Sequence, residues 1–62
     1  MKNKLRVIRA ERTLSQENLA RMARMTRASL SRIENNLQEP SIQTMKKIAN
    51  ALNLKVSDIF LI

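Results

Sequence analysis

Residues 16–35 read QENLARMARMTRASLSRIEN, and this stretch decides the fold of the chain. Within each half its apolar residues recur every three to four positions, as they do along the buried face of a helix. The pattern predicts two short helices joined by a tight turn near residues 24–25. Both helices would turn one apolar face inward, made by Leu19, Ala20, Ala23, Met25, Leu30 and Ile33.

The second of these helices has a polar, basic outer face. Thr26 is placed to cap it, because its hydroxyl can accept the amide hydrogen near Ser29. A rigid helix with guanidinium groups at its exposed start suits the major groove of DNA, where arginine can bond both acceptors of a guanine. The side chains left pointing outward are those of Arg27, Ala28, Ser31 and Arg32.

This outer face supplies the candidates for base contacts. Arg27 and Arg32 would read guanines, and Ala28 would touch a thymine methyl group. Either Ser29 or Ser31 would add a hydrogen bond. The two arginines have an alternative role, because guanidinium groups also clamp phosphates.

Over nearly its whole length the chain resembles the lambda-repressor-like DNA-binding domains, also called Cro/CI-type or xenobiotic-response-element domains. The likeness lies in LRVIR at residues 5–9, LSQ at 14–16, SRIEN at 31–35 and PS at 40–41. A helix-turn-helix match alone is a weak indication, whereas SQENLA, SRIEN and PS together at the family's spacing are a strong one. The resemblance implies a single all-α domain over residues 1–62. It would be a compact bundle of five short helices, with the helix-turn-helix at about 16–35.

The resemblance also implies roles for residues around the outer face. Arg9 matches an arginine that forms a semi-buried ion pair with the glutamate ending the recognition helix, here Glu34. Gln16 matches a phosphate-binding residue at the start of the second helix, and its alternative is an ordinary exposed glutamine. Asn35 and Ser41 can donate to phosphates, although both also fit as helix caps. The full set predicted to contact phosphate is Gln16, Ser29, Asn35 and Ser41.

The chain has no glycine, and this is where it departs from the domains it resembles. Those domains commonly have glycine at the positions of Thr13, Arg24, Asn36 and Asn53. The two asparagines are good substitutes, because asparagine tolerates the left-handed backbone that ends helices. Arg24 is a poorer one, with an expected cost on the order of 1 kcal/mol if the backbone is left-handed there.

The sequence pattern in the last third of the chain predicts one amphipathic helix followed by a shorter helix. Ser41 would cap the first, whose apolar face is made by Ile42, Met45, Ile48, Ala49 and Leu52. Ser57 would cap the second, from which Ile59 returns to the core.

The chain ends in three apolar residues, Phe60, Leu61 and Ile62. Exposed apolar ends indicate an interface or fraying. In related domains this edge packs against the two-fold mate. We therefore predict that these three residues form the interface of a homodimer.

The net charge of the chain is +7, from 12 basic and 5 acidic residues. This excess favours nucleic acid as the partner, although an anionic membrane or an acidic protein would be attracted as well. Phe60 is the one aromatic residue, which disfavours modules that stack single-stranded bases or RNA on aromatic side chains. No apolar run approaches the roughly 20 residues that span a bilayer, so we expect a cytoplasmic, nucleoid-associated protein.

The absence of cysteine and histidine excludes disulfides, zinc-finger ligand sets and cysteine or histidine nucleophiles. The five acidic residues are scattered, and each has a role available in a helix or an ion pair. We therefore expect no enzyme activity, no metal, no cofactor and no small-molecule ligand.

Two functional hypotheses follow from these observations. The first is a homodimeric, sequence-specific transcriptional regulator, a repressor, that binds a palindromic operator in double-stranded DNA. Its half-sites would lie about one helical turn, roughly 34 Å, apart. The second is an antitoxin-type interaction protein that neutralises a partner through its apolar end and binds DNA secondarily. A membrane-binding basic peptide is disfavoured, because the chain lacks one long amphipathic helix.

Overall fold

Residues 2–61 are described by a computed structural model, and they form five α-helices. The helices are α1 (Leu5–Glu11), α2 (Gln16–Met22), α3 (Arg27–Glu34), α4 (Ile42–Leu52) and α5 (Val56–Ile59). Extended pairing within residues 2–61 is limited to one isolated antiparallel bridge, between Asn3 and Phe60. The predicted all-α bundle of five short helices is confirmed.

Three helices begin after a serine or threonine cap, and the predicted caps at Thr26 and Ser41 are confirmed. The hydroxyl oxygens of Ser15, Thr26 and Ser41 each accept a hydrogen bond from the backbone N–H three residues later, at 3.0 to 3.1 Å. Each bond satisfies an amide that the start of a helix leaves without a partner. The prediction for Ser57 is wrong, because the cap of α5 is Lys55, whose backbone N–H donates to Asp58 at 2.9 Å.

Four of the residues described by the structure have left-handed backbone, and each follows the end of one of the helices α1, α2, α3 and α4. Their φ angles are 53° at Thr13, 57° at Arg24, 59° at Asn36 and 57° at Asn53. At each site the next residue donates its N–H to the carbonyl five residues back, at 2.8 to 2.9 Å. This is the Schellman arrangement, which usually uses glycine. The left-handed positions implied by the resemblance are confirmed at all four sites.

One hydrophobic core joins the helices, with α2 packed on α3 and α4, and α4 packed on α5. The prediction that Ile42 faces this core is wrong, because its side chain is 69% exposed. Ile42 is the first residue of α4, and burial on this helix begins one turn later at Met45. The buried apolar residues are Leu5, Ile8, Leu19, Ala20, Ala23, Leu30, Ile33, Met45, Ile48, Ala49, Leu52, Ile59 and Phe60.

Phe60 is a third correction, because it was expected at an exposed interface and its side chain is only 1% exposed. The end of the chain folds back along its start, where the N–H of Leu61 donates to the carbonyl of Lys2 at 3.0 Å. This return seats the side chain of Phe60 in the core of the chain itself, so it is not exposed at the surface. Leu61 is half exposed, and Ile62 lies outside the described residues.

Candidate nucleic-acid interface

The outer face of α3 is not covered by the rest of the subunit. On the inner face Leu30 and Ile33 are 0% and 2% exposed. Ser29 and Ser31 are half-buried at the border between the two faces. The exposed side chains are those of Arg27, Ala28 and Arg32.

The starts of α2 and α3 lie side by side and enclose a shallow depression. Its lining consists of Gln16, Arg27, Ala28 and Ser31. A neighbouring depression is lined by Arg9, Ser15, Gln16, Glu17 and Arg27. Gln16 of α2 is predicted to bind phosphate. The structure places it next to Arg27, Ala28 and Ser31 of α3, which are predicted to contact bases.

Arg9 and Glu34 form an ion pair between α1 and α3. Nε of Arg9 donates to Oε2 of Glu34 at 2.6 Å, and Nη2 donates to Oε1 at 3.1 Å. The side chain of Glu34 is fully buried, and that of Arg9 is 16% exposed. Arg9 also donates to the carbonyl of Leu14 at 2.9 Å. The pair joins α1, the first loop and the end of α3, so its charges are used inside the domain.

Gln16 is linked to this ion pair. Its Nε2 donates to Oε1 of Glu34 at 3.2 Å, which turns the amide nitrogen toward the protein. An amide nitrogen has two donor hydrogens, so one remains for another acceptor such as a phosphate oxygen. The half-buried glutamine is therefore a positioned donor and not a freely moving surface residue.

The side chains of Asn35 and Ser41 already have partners within the protein. Nδ2 of Asn35 donates to the carbonyl of Ser31 at 2.9 Å. Oγ of Ser41 donates to Oγ1 of Thr44 at 3.0 Å and accepts from the Thr44 amide. Both residues therefore serve as caps, whatever they contact on DNA.

Arg6 lies beside this surface and was not singled out from the sequence. Its Nη2 donates to Oδ1 of Asn35 at 2.6 Å. The available sequence signal was its spacing of three residues from Arg9, which puts both on one side of α1. That signal is weak, because a charged residue on an outer face is usually only solvated.

Metal chemistry and membrane insertion gain no support from the described part of the chain. Residues 2–61 contain no group of three or more acidic, histidine or cysteine side chains placed to hold a metal ion. Their helices are also too short and too polar to cross a membrane.

Comparison with known proteins agrees with this geometry. The profile of the Helix-turn-helix family matches residues 5–59. An uncharacterized HTH-type transcriptional regulator of Methanocaldococcus jannaschii is 39% identical over 61 residues, which are 98% of this chain and 92% of that protein. Control protein C.MunI of Mycoplasma sp is 37% identical over 59 residues, which are 94% of this chain and 80% of that protein.

A longer relative is the Immunity repressor protein of Bacillus phage phi105. It is 39% identical over 56 residues, which are 90% of this chain but 39% of the phage protein. The family profile covers nearly all of the chain, and the regulator from M. jannaschii matches along almost its full length. The chain therefore belongs to the Cro/CI-type helix-turn-helix family of DNA-binding domains.

Proposed function

We propose that this chain is a sequence-specific transcriptional regulator, a repressor, that binds duplex DNA as a homodimer and reads the major groove with α3. The observation that carries the proposal is the two-sided character of α3, which buries Leu30 and Ile33 and exposes Arg27 and Arg32. The relatives named as a transcriptional regulator and an immunity repressor support the same function. A protein of this kind would act in the cytoplasm, on the nucleoid.

The dimensions and charge of α3 suit this task. An α-helix is about 10 to 12 Å across with its side chains, so it fits a major groove about 12 Å wide, and the 8 residues of α3 extend about 12 Å along it. The first turn of α3 contains no acidic residue. Within residues 2–61, no carboxylate forms an ion pair with Arg27 or Arg32. Their charges are therefore available to a polyanion.

We expect Arg27 and Arg32 to read bases, and Gln16, Ser29, Asn35 and Ser41 to hold the backbone. Base contacts determine sequence preference, whereas phosphate contacts set register and orientation. Ala28 and Ser31 lie in the same depression as Arg27 and Gln16, so residues expected to contact bases adjoin one that is expected to contact phosphate.

The test is selection of bound duplexes from a random pool, followed by affinity measurements on the selected duplex and on an unrelated one. Arg27→Ala or Arg32→Ala should weaken binding to the selected duplex by roughly 1 to 3 kcal/mol and relax preference at one base position. On the unrelated duplex the same variants should lose much less. The selection also tests the homodimer, because a two-fold protein enriches a palindrome with half-sites about 34 Å apart.

Lys55→Ala is the matched control, since it removes one exposed positive charge at the start of α5, an element that is assigned no DNA contact. Equal losses on both duplexes for Arg27→Ala and Arg32→Ala would show phosphate clamping and contradict the assignment of base reading. Selection that enriches no motif would contradict the regulator itself.

A further inference from the structure

We propose that Arg6 binds a DNA phosphate beside the end of α3, and that Asn35 positions its guanidinium for this contact. This inference rests on the proposed function, because it concerns the same DNA-binding surface. It adds a residue of α1 to a surface otherwise built from α2, α3 and the start of α4.

Arg6 is tied to the C-terminal end of α3. Its Nη2 donates to Oδ1 of Asn35 at 2.6 Å, and both side chains are exposed. Asn35 is the C-cap of α3, and its Nδ2 donates to the carbonyl of Ser31 at 2.9 Å. That bond directs the amide oxygen toward Arg6. The guanidinium is therefore held at one place on the surface.

The placement of α1 against α3 is set on both sides of Arg6. Before it, Nδ2 of Asn3 donates to the carbonyl of Ile33 at 3.0 Å. After it, Arg9 binds Glu34 through two hydrogen bonds. Arg6 and Arg9 are three residues apart and thus share one side of α1. All three contacts reach the last residues of α3 or its cap, so Arg6 moves with that helix.

The two arginines of α1 differ in what balances their charge. Arg9 is paired with the buried carboxylate of Glu34. The partner of Arg6 is a neutral amide, and among residues 2–61 no carboxylate lies within ion-pair distance of it. A guanidinium has five N–H donors, and Asn35 uses one of them. The full charge and the remaining donors suit the oxygens of a phosphate.

The position of Arg6 relative to α3 indicates which part of DNA it would meet. In this docking mode the first residues of the recognition helix reach the base edges, while the first helix of the motif, here α2, crosses the backbone, so groups away from the start of α3 meet phosphates and not bases. Arg6 lies at the opposite end of α3 from Arg27, on a helix that precedes the helix-turn-helix. An anion bound between Arg6 and Asn35 would therefore be a backbone phosphate.

The competing explanation is that Arg6 only joins α1 to α3. A cation at the C-terminal end of a helix is also favoured by the helix dipole, without any DNA. The two explanations differ in salt dependence, because each phosphate contact changes the number of counterions that binding releases. Thermal stability does not distinguish the two explanations, because under either one the loss of Arg6 removes its hydrogen bond to Asn35.

The test compares Arg6→Gln with Arg6→Lys and Lys55→Gln on a selected duplex and an unrelated duplex, over a series of salt concentrations. Arg6→Gln should bind both duplexes roughly 10-fold more weakly. The slope of log affinity against log salt concentration should fall by about 0.9 for each bound subunit. Arg6→Lys should keep the slope, because the charge remains. Lys55→Gln is the control, because it also removes one positive charge. Lys55 follows α4, whose 11 residues make a helix about 16 Å long that begins after Ser41.

Asn35→Ala tests the positioning role. If Asn35 positions Arg6, the loss of affinity in the variant carrying Arg6→Gln and Asn35→Ala together should be smaller than the sum of the two single losses. Fully additive losses would show that the phosphate contact expected of Asn35 is independent of Arg6 and would overturn the positioning role.

The outcomes separate this inference from the proposed function. If the unmodified protein binds a selected duplex and Arg6→Gln matches Lys55→Gln in affinity and slope, Arg6 binds no phosphate and the regulator stands. A lower melting temperature with an unchanged slope would likewise overturn the phosphate contact and leave Arg6 as a structural link. If the unmodified protein shows no salt-dependent binding to any duplex, both proposals fall together.

Discussion

Glu34 is the buried acid among residues 2–61, and its fully buried side chain accepts two hydrogen bonds from Arg9 and one from Gln16. Glu34→Met fills a similar volume but leaves Arg9 as a largely buried charge without a partner. We expect this change to lower the free energy of unfolding by roughly 3 to 5 kcal/mol, measured by urea denaturation. The total free energy of unfolding of a small domain is about 5 to 15 kcal/mol, so this loss would be a large share of it.

The matched control at the same site is the double variant Arg9→Met with Glu34→Met. It removes both charges, so no ion remains buried alone, and it should lose less stability than Glu34→Met. A double variant as unstable as the sum of the two single variants would show that the ion pair is not what these residues contribute.

At the scale of elements, the turn between α2 and α3 has its left-handed residue at Arg24, with φ of 57°. Arg24→Gly should relieve the steric cost of that backbone and raise the free energy of unfolding by up to about 1 kcal/mol, after the greater freedom of glycine in the unfolded chain is subtracted. In a domain of this size the melting temperature would rise by about 4 °C. Arg24→Ala removes the same charged side chain and keeps the Cβ atom. If it melts as high as Arg24→Gly, backbone strain is not the cause.

The elements themselves were largely predictable, because their signals are local. A cap such as Thr26 acts on an amide three residues away, and a left-handed residue such as Asn53 acts on a carbonyl within one turn. Ile42 was predicted wrongly because a local pattern does not show where the neighbouring segments stop covering a helix. Ser57 was predicted wrongly because the carboxylate of Asp58 caps the backbone N–H of Lys55, so α5 begins at Val56, before Ser57. Lys55 and Asp58 form the cap that replaces Ser57, and Ile42 projects past the core at the start of α4.

The candidate site was predictable to the same extent. Helical periodicity indicated which side chains of α3 point outward, and Arg27 and Arg32 are exposed as that pattern requires. Arg6 was missed because its partner Asn35 lies 29 residues away, and no spacing rule connects them. Phe60 was misplaced for the same reason, since its burial depends on the start of the chain.

The molecule as a whole has a packed core that no disulfide supplements, since the chain has no cysteine, and residues 2–61 contain no metal-ligand cluster. Phe60→Ala should therefore cost roughly 3 to 5 kcal/mol in urea denaturation, because it empties a site that is only 1% exposed. Leu61→Ala, at a half-exposed neighbour, should change stability by about 0.5 kcal/mol or less. Similar losses for the two variants would contradict the burial of Phe60 in the subunit core.

The bridge between Asn3 and Phe60 brings the beginning and the end of the domain to one corner of the molecule. A further module fused in front of the domain or behind it would emerge at that same corner. Its distance from α3 would thus be nearly the same whether the module precedes or follows the domain in the chain. A domain of this kind can therefore be joined to other modules at either terminus. In the phage repressor the matched part is 39% of the length, so most of that protein lies outside the domain.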